Sequence, residues 1–520
     1  MTPPTHHVFD RMILLADRMN GRVASAGDDA ALREFAALAP RCDEPMAMWR
    51  LALATAQAVL RNGDAALARR TIEVVRAVTP DCEINLESRI CDIAESVFMF
   101  GDAGMAADFG DLLTLADPHA PRAAELHLMA GRPGRCLAVL DGAADGPTVT
   151  VLKGWALFAL GETRAAAEWL ERRHAVEGPT CEGVAVQTLL DLAAGRVEMA
   201  GERLLSSLRA DFPSILGLTM AWEGHVFPVA CRRYCERAFG DPFGPDAARL
   251  YRAILDERPE YPPSTHVWTL HARCLGPPAP PGRLPDILLN NRGAKGGSAV
   301  QPILFDALAP LGYSFAPMSD KPIDPPRFLG TEGPIAQWAH MQPASVEEQR
   351  AFRPDRRLIV VQVLRDPRDT LMSAWGRHHL DGLEHAPPPD AATMAALELG
   401  SDLWAWSRPD ILSVKVEDVR RDPQGQLRRI LAAADIQLGD DDIRRAAAGK
   451  SMADYMARRR ARLGRNLPDE ALGHGVWRKG VTGEWRAAPP AVKRMMFELL
   501  GGAIKELDYE TGDGWIDGET

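Results

Sequence analysis

RLIVVQVLRDPRD, residues 357–369, carries the strongest structural signal in the 520-residue chain. Residues 358–364 are apolar apart from one glutamine and do not alternate between apolar and polar side chains. Such a run is typical of a strand buried on both faces of a parallel sheet. A cluster of charged residues follows directly, and helical spacing follows the cluster. The stretch therefore predicts a buried strand, a charged turn and a helix.

Shorter runs of the same kind recur before and after this stretch, with helical patterns between them. They predict further strands at residues 286–290, 313–316, 335–340 and 411–416, and a helix at 299–308. Strands that alternate with helices indicate an α/β domain. The second half of the chain is therefore predicted to form an α/β, P-loop-like parallel sheet.

A glycine-rich loop, RGAKGGS at residues 292–298, separates the first predicted strand from its helix. Strand, glycine-rich loop and helix form an anion site, because backbone N–H groups and the positive end of the helix dipole face the ligand. Lys295 adds a full charge. The loop is not a Walker A motif, GxxxxGK[ST], since the lysine precedes the glycines. A nucleoside triphosphatase or an ATP-dependent kinase is therefore disfavoured.

Three segments resemble sulfotransferases that use 3′-phosphoadenosine 5′-phosphosulfate (PAPS). AKGGSAV at 294–300 is similar to the family's P-K-S-G-T-T-W loop. RDPRDTLMS at 365–373 is similar to its R-[DN]-P-[RK]-D-x-x-x-S signature, and RKGVTGEW at 478–485 to its R-K-G-x-x-G-[DE]-W segment. VED at 416–418 stands where the family usually has Y-E-D. The motifs occur in the family's order.

The resemblance implies PAPS as co-substrate, no metal, and a set of residues that bind the nucleotide. Lys295 is expected to contact the phosphosulfate bridge and to help the leaving group depart. Ser298 and the backbone of the glycines before it are expected to cradle the 5′-phosphate. Arg365 and Ser373 are expected at the 3′-phosphate, with residues 478–480 closing over it. The full predicted set is Arg292, Gly293, Lys295, Gly296, Gly297, Ser298, Ala299, Arg365, Ser373, Arg478, Lys479 and Gly480.

The sequence departs from the family pattern in three places. Val300 replaces the tryptophan that often contacts adenine, Trp338 replaces a lysine, and Val416 replaces the tyrosine of Y-E-D. Trp485 is a candidate to close the pocket instead, and Arg292 or Arg368 to supply the missing charge.

Two residues are candidates for the general base that takes the acceptor's proton. His340 lies in WAHMQP, residues 338–343, where cytosolic members of the family have K-T-H-x-P. A histidine titrates near neutral pH, which suits removal of a hydroxyl proton. Glu332 is the alternative, because some sulfotransferases that act on sugars and proteins use a carboxylate base.

The first half of the chain is a degenerate helical repeat. Glycines at 63, 101, 161 and 195 are each followed by alanine five residues later and by proline 17 or 18 residues later. The glycine permits a turn, the small alanine lets two helices approach closely, and the proline ends the second helix. This spacing resembles the tetratricopeptide repeat, whose period is about 34 residues.

A proline-rich segment, GPPAPPG at residues 276–282, separates the two patterns. Such a composition is typical of a semi-extended spacer. We predict an all-α helical-repeat domain similar to tetratricopeptide repeats at 1–275, a linker at 276–284 and a sulfotransferase domain at 285–520.

Charge and composition exclude several classes of protein. The formal net charge is −11, and residues 1–282 carry 28 basic against 37 acidic side chains. An acidic front half disfavours non-specific binding of nucleic acid, which needs a basic face. The apolar runs are too short to span a bilayer, and the apolar core of the N-terminus, residues 12–16, is too short for a signal peptide. All eight cysteines are scattered without metal-ligand spacing. We expect a cytoplasmic protein without a metal site.

The leading functional hypothesis is sulfuryl transfer from PAPS to an acceptor hydroxyl on a glycan, a protein or a small alcohol or phenol. By analogy with repeat-bearing bacterial members of the family that the sequence resembles, a glycan or polypeptide acceptor is expected. The repeat domain is expected to bind an acceptor or protein partner, to mediate self-association, or only to support the second domain. The alternative is a non-catalytic scaffold with a remnant nucleotide-binding domain.

Overall fold

The structure is a computed structural model of the chain. It describes residues 34, 37, 55, 65–78, 103–116, 118–209, 225–257, 264–276, 279, 282–291, 300–319, 331–341, 343–378, 399–448, 483–510 and 514–516.

The chain divides into two compact units. The first comprises residues 1–242 and 324–331, and the second comprises residues 243–323 and 332–520. The division falls at Phe243 rather than in the proline-rich segment. Of the two helices that precede that segment, the second packs against the sheet and the first packs against the second. The domain bounds given by the sequence stay a prediction.

The described part of the first unit is helical. Its helices are α1 (Ala65–Val78), α2 (Ala103–Ala116), α3 (Pro121–Met129), α4 (Pro133–Leu140), α5 (Pro147–Ala159), α6 (Thr163–Glu177), α7 (Cys181–Ala193), α8 (Val197–Arg209) and α9 (Val226–Phe239).

Successive helices pack as hairpins, and the repeated residues occupy the places that the spacing predicts. Gly161 and Gly195 stand between α5 and α6 and between α7 and α8, with φ of +80° and +75°. A positive φ favours glycine, so these residues end one helix and allow the next to turn back. The four alanines at the fifth position after each repeat glycine, Ala68, Ala106, Ala166 and Ala200, have no exposed surface. The assignment to the tetratricopeptide repeat itself stays a prediction.

The second unit contains a five-stranded sheet in the order β2-β3-β1-β4-β5, and every pair is parallel. The strands are β1 (Asp286–Asn290), β2 (Ser314–Ser319), β3 (Ile335–Ala339), β4 (Leu358–Leu364) and β5 (Ile411–Lys415). The prediction of an α/β domain with a parallel sheet is confirmed. The bounds of β1 match the predicted ones, and those of the other strands differ by at most three residues.

Helices connect and flank these strands. They are α10 (Pro245–Glu257), α11 (Ser264–Leu275), α12 (Gln301–Leu308), α13 (Pro343–Phe352), α14 (Pro367–His378), α15 (Val416–Arg421), α16 (Pro423–Ala433), α17 (Asp440–Ala447) and α18 (Pro490–Glu506). Residues 399–406 are also helical. One apolar cluster packs against β1, β3, β4 and β5, and a second joins α14 and α18 to two buried tryptophans.

A chain of buried polar side chains crosses the middle of the sheet. The Asn290 amide donates to Gln362 Oε1 at 2.8 Å, and the Gln362 amide donates to Asp402 Oδ1 at 3.2 Å. Asn290 also donates to and accepts from the backbone of Met341. Because buried polar groups are costly without partners, these bonds fix β1, β4 and helix 399–406 in register.

No helix of the described residues is both long and apolar enough to cross a bilayer.

Helices α5 and α6 of the first unit approach each other closely at Gly154. A Cβ atom added at Gly154 in α5 would lie 2.8 Å from Leu170 Cγ in α6. Gly154→Ala should therefore lower the free energy of unfolding by roughly 1–3 kcal/mol through overpacking. Gly134→Ala in α4 is the control, since a Cβ there meets no atom within 4 Å. Urea denaturation measures both, and equal stability of the two variants would contradict the packing argument.

Candidate functional site

The carboxyl edge of the sheet contains a topological switch point. After β1 the chain continues to β2 on one side of the sheet, and after β4 it continues to β5 on the other side. The outgoing connections of the neighbouring strands β1 and β4 thus diverge, which opens a crevice beyond their carboxyl ends. Ligands of open α/β sheets bind in such crevices. The predicted phosphate loop follows β1, and the motif at 365–369 follows β4.

The predicted phosphate loop lies outside the described residues. This applies to Arg292, Gly293, Lys295, Gly296, Gly297, Ser298 and Ala299. The residues on either side of it are described. Asn291 N donates to Ala339 O at 2.8 Å, and Val300 is buried at the start of α12.

Two arginines of the RDPRD motif, 365–369, follow β4 in buried positions. Arg365 is 8% exposed and Arg368 is 1% exposed. The Arg368 guanidinium donates to both carboxylate oxygens of Asp366, at 2.9 and 2.7 Å, and the Arg368 backbone N–H donates to Asp366 Oδ1 at 2.9 Å. Such a bidentate, charge-assisted pair is among the stronger hydrogen-bonded contacts in proteins.

Two tryptophans from the end of the chain enclose this arginine. Arg368 Cζ lies 3.6 Å from the ring centre of Trp485 and 4.7 Å from that of Trp515. The guanidinium also pairs with Glu510 at 3.3 Å. We call these residues, with Asp366, the Arg368 cluster. Arg368 and Trp485 are both buried in contacts within this cluster. The sequence hypotheses that Arg368 supplies charge to the ligand and that Trp485 closes the pocket therefore do not fit the structure.

The RDPRD motif also contacts the GEW segment, 483–485, directly. Gly483 N donates to Asp369 Oδ2 at 2.7 Å, across 114 residues of sequence. Gly483 has φ of +83°, a conformation that favours glycine. Two of the three sequence motifs therefore meet at the carboxyl end of β4. Arg478, Lys479 and Gly480 lie outside the described residues. Ser373 lies within α14, and its side chain is outside the described part.

The VED motif, 416–418, directly follows the neighbouring strand β5 and contacts the turn after β4. Glu417 Oε1 accepts from Asp366 N at 3.3 Å, and Tyr509 Oη donates to Glu417 Oε2 at 3.3 Å. Burial raises the pKa of Glu417, and it raises the pKa of Tyr509 together with the charge of Glu417. Glu417 thus ties the turn after β4 to the C-terminal segment.

The two candidate bases lie at opposite edges of the sheet. His340 follows β3 at the carboxyl edge, and its ring packs edge-on against Trp338 at 5.9 Å between centres. Trp338 in turn donates to Asn291 Oδ1 at 3.3 Å. Glu332 precedes β3 and is exposed, and its carbonyl accepts from Arg353 at the amino edge. The length of β3 alone, roughly 13 Å at the usual rise per residue, separates the two edges.

One cation of this edge was missed by the sequence motifs. Arg420 lies in α15, two residues after VED. Burial and the nearby charge of Arg365 lower the pKa of its guanidinium. No sequence signal singles it out, because 52 of the 60 basic residues in the chain are arginines.

In the described part of the chain, no group of three or more His, Cys, Asp or Glu side chains comes together as a metal site would require.

Comparisons with known proteins give little further information. A solved structure that the chain resembles is the mouse sulfotransferase SULT7A1 complexed with PAP. The match covers 44% of this chain and 87% of that chain, with 17% sequence identity and a TM-score of 0.31. No protein-family model and no curated protein matches the sequence.

The Arg368 cluster gives the second prediction. Arg368→Met keeps much of the apolar stem but leaves Asp366 buried without its cation, which should lower the free energy of unfolding by about 3 kcal/mol or more. The matched control is Arg486→Met, because Arg486 is exposed and its Cζ lies 5.3 Å from the centre of the same Trp485 ring. The control should change stability by less than about 0.5 kcal/mol.

Denaturant unfolding monitored by tryptophan fluorescence measures both variants. Similar stabilities for Arg368→Met and Arg486→Met would show that the buried pair does not hold the C-terminal segment against β4.

Proposed function

We propose that the chain is a PAPS-dependent sulfotransferase whose nucleotide site lies at the carboxyl edge of the sheet. The observation that carries the proposal is the meeting of the RDPRD motif with the GEW segment through Asp369–Gly483 and the Arg368 cluster. Far apart in sequence, the two segments come together beside the crevice between β1 and β4. The phosphate loop follows β1 in the chain, so the proposal expects it at the same edge of the sheet.

Within this proposal the nucleotide's two phosphates have separate binding groups. Lys295, Ser298 and the loop backbone would bind the 5′ side, with Arg292, Gly293 and Ala299 flanking them. Arg365 and Ser373, with residues 478–480, would bind the 3′-phosphate. The buried position of Arg365 at the end of β4 supports this role, because a cation in a low-dielectric site attracts an anion more strongly than one in water.

The transfer requires a base on one side of the sulfuryl group and a cation on the other. The acceptor oxygen attacks sulfur as its proton passes to His340, while the bond from sulfur to the 5′-phosphate oxygen breaks. Lys295 stabilises the charge that develops on the departing phosphate. His340 is favoured over Glu332, since it lies beside Asn291 at the edge where the nucleotide would bind and Glu332 lies at the other edge. The products are a sulfate ester and adenosine 3′,5′-bisphosphate (PAP).

The first unit would serve this activity as a helical repeat that binds an acceptor or a protein partner. Its described helices form hairpins with the small-residue contacts of a stacked array. Stacked helical hairpins commonly present extended binding surfaces. The acidic balance of this half favours a neutral or basic acceptor over a polyanion. The acceptor class is a glycan, a protein or a small alcohol or phenol, and the proposed location is the cytoplasm.

Labelled-PAPS transfer to a panel of glycans, tyrosine peptides and small alcohols or phenols tests the activity. Lys295→Ala should reduce turnover by about 100-fold or more, because a preorganised cation on the leaving group is lost. Its melting temperature without ligand should stay close to that of the wild type. Lys505→Ala, which removes an exposed lysine from α18, is the control and should keep wild-type turnover.

A thermal shift with PAP accompanies the assay. A wild-type protein that neither melts at higher temperature with PAP nor transfers the label would exclude the enzyme and favour a non-catalytic scaffold. Wild-type turnover in Lys295→Ala would leave the enzyme in place but show that the loop assignment is wrong.

The identity of the base is tested by two matched variants. His340→Ala should lower turnover by at least roughly 100-fold with little change in PAP affinity, because proton transfer is lost and nucleotide contacts remain. Glu332→Ala should leave turnover within about twofold of the wild type, since the side chain is exposed at the amino edge. A larger loss in Glu332→Ala than in His340→Ala would reverse the assignment.

A further inference from the structure

Arg420 lies near Arg365 at the carboxyl edge of the sheet, close to the end of the short helix α15. In the parallel pairing of β4 with β5, Leu364 is opposite Lys415. Arg365 therefore leaves β4 beside the point where α15 begins, and Arg420 is the fifth residue of that helix. Two arginines on adjacent connections thus occupy one corner of the crevice.

The Arg420 side chain is partly buried and, within the described part of the chain, lacks the close carboxylate partners that Arg368 has. Its Nε is buried and has no hydrogen-bond partner among the described residues. The charges around it are those of Arg365, Glu417 and Asp369. Burial and then the charge of Arg365 lower the pKa of the guanidinium, so the charged group is less favourable at this position than in water.

The two carboxylates near Arg420 already accept from other donors. Glu417 accepts from the Asp366 backbone and from Tyr509, and Asp369 accepts from the Gly483 backbone. Arg368, by contrast, is fully engaged by Asp366 and Glu510. An anion from outside the described chain would satisfy the buried Nε and reduce the repulsion between Arg365 and Arg420.

Helix α15 also borders the point where the phosphate loop ends. Val419, next to Arg420, lines one small apolar cavity together with Val300, which starts α12 directly after the loop. The helix that carries Arg420 therefore packs close to both sides of the crevice.

We infer that Arg420 is a further anion-binding residue of this site, and that it binds the 3′-phosphate of the nucleotide together with Arg365. The inference rests on the proposed function, which assigns Arg365 to that phosphate. A phosphate dianion between two guanidinium groups receives charge-assisted hydrogen bonds from both, and planar guanidinium groups match phosphate oxygens well.

The test compares two nucleotides and two neighbouring arginines. Isothermal titration calorimetry measures the affinity of the full-length protein for PAP and for adenosine 5′-monophosphate, which lacks the 3′-phosphate. Arg420→Met should weaken PAP by about 10- to 100-fold, the size expected for a hydrogen bond to a charged group, and should change adenosine 5′-monophosphate by less than about threefold. Arg365→Ala should show the same selectivity.

Arg421→Met is the matched control on the same helix. The Arg421 side chain is 78% exposed and pairs with Asp418 at 3.5 Å, so both affinities should stay at the wild-type value. The melting temperature without ligand separates binding from structure. Arg420→Met should melt at or above the wild-type temperature, because it removes a partly buried cation from a repulsive position, whereas a structural arginine would lower it.

Each outcome has a distinct meaning. Wild-type affinity of Arg420→Met for PAP would overturn the inference while the proposed function stands. An equal loss for both nucleotides, or a lowered melting temperature in the absence of ligand, would also overturn it. Failure of the wild-type protein to bind PAP at all would remove the proposed function and the inference with it. If Arg420→Met does not fold, Arg420→Gln under the same assay decides between these results.

Discussion

The ion pair between Arg368 and Asp366 is the interaction on which the second unit's site depends. A buried guanidinium is stable only when its hydrogen bonds and charge are compensated. Here Asp366 compensates it from the same turn, while Glu510 and the rings of Trp485 and Trp515 compensate it from the end of the chain. The contacts of Arg368 with Trp485, Glu510 and Trp515 place the C-terminal segment against the turn that follows β4. Because the cluster joins a strand end to the last helix, it fixes the residues that flank both.

Arg365 and Arg368 belong to one short motif and have different surroundings. Arg368 is enclosed by Asp366, Glu510 and two tryptophan rings, whereas Arg365 lies near a second arginine, Arg420. Spacing in sequence cannot separate the two arginines, because their surroundings depend on contacts with residues more than a hundred positions away, such as Trp485 and Glu510. A motif identifies a turn, but long-range contacts decide the environment of each of its side chains.

Local features of the sequence predicted most of the sheet. The apolar runs that end at Asn290 and Leu364 are the central strands β1 and β4, which are buried along most of their length, as strands covered on both faces of a parallel sheet are. The direction of the chain also separates the two candidate bases, since Glu332 enters β3 and His340 leaves it. Arg420 could not be found this way, because its significance comes from the register of β4 against β5 and from a neighbour in another connection. The side-by-side order of the strands depends on the whole sheet, and no short stretch of sequence encodes it.

The electrostatics of this edge connect stability to ligand binding. Two arginines near one another and partly withdrawn from water are unfavourable in the unbound protein, and the carboxylates around them are already held by Gly483, Tyr509 and backbone N–H groups. The chain has a net charge of −11 and therefore more carboxylates than cations. The absence of a close partner for Arg420 among the described residues is thus due to where the carboxylates lie and not to a shortage of them. Under the proposed function, an anionic ligand that binds only the folded state would relieve this repulsion and stabilise the fold by mass action.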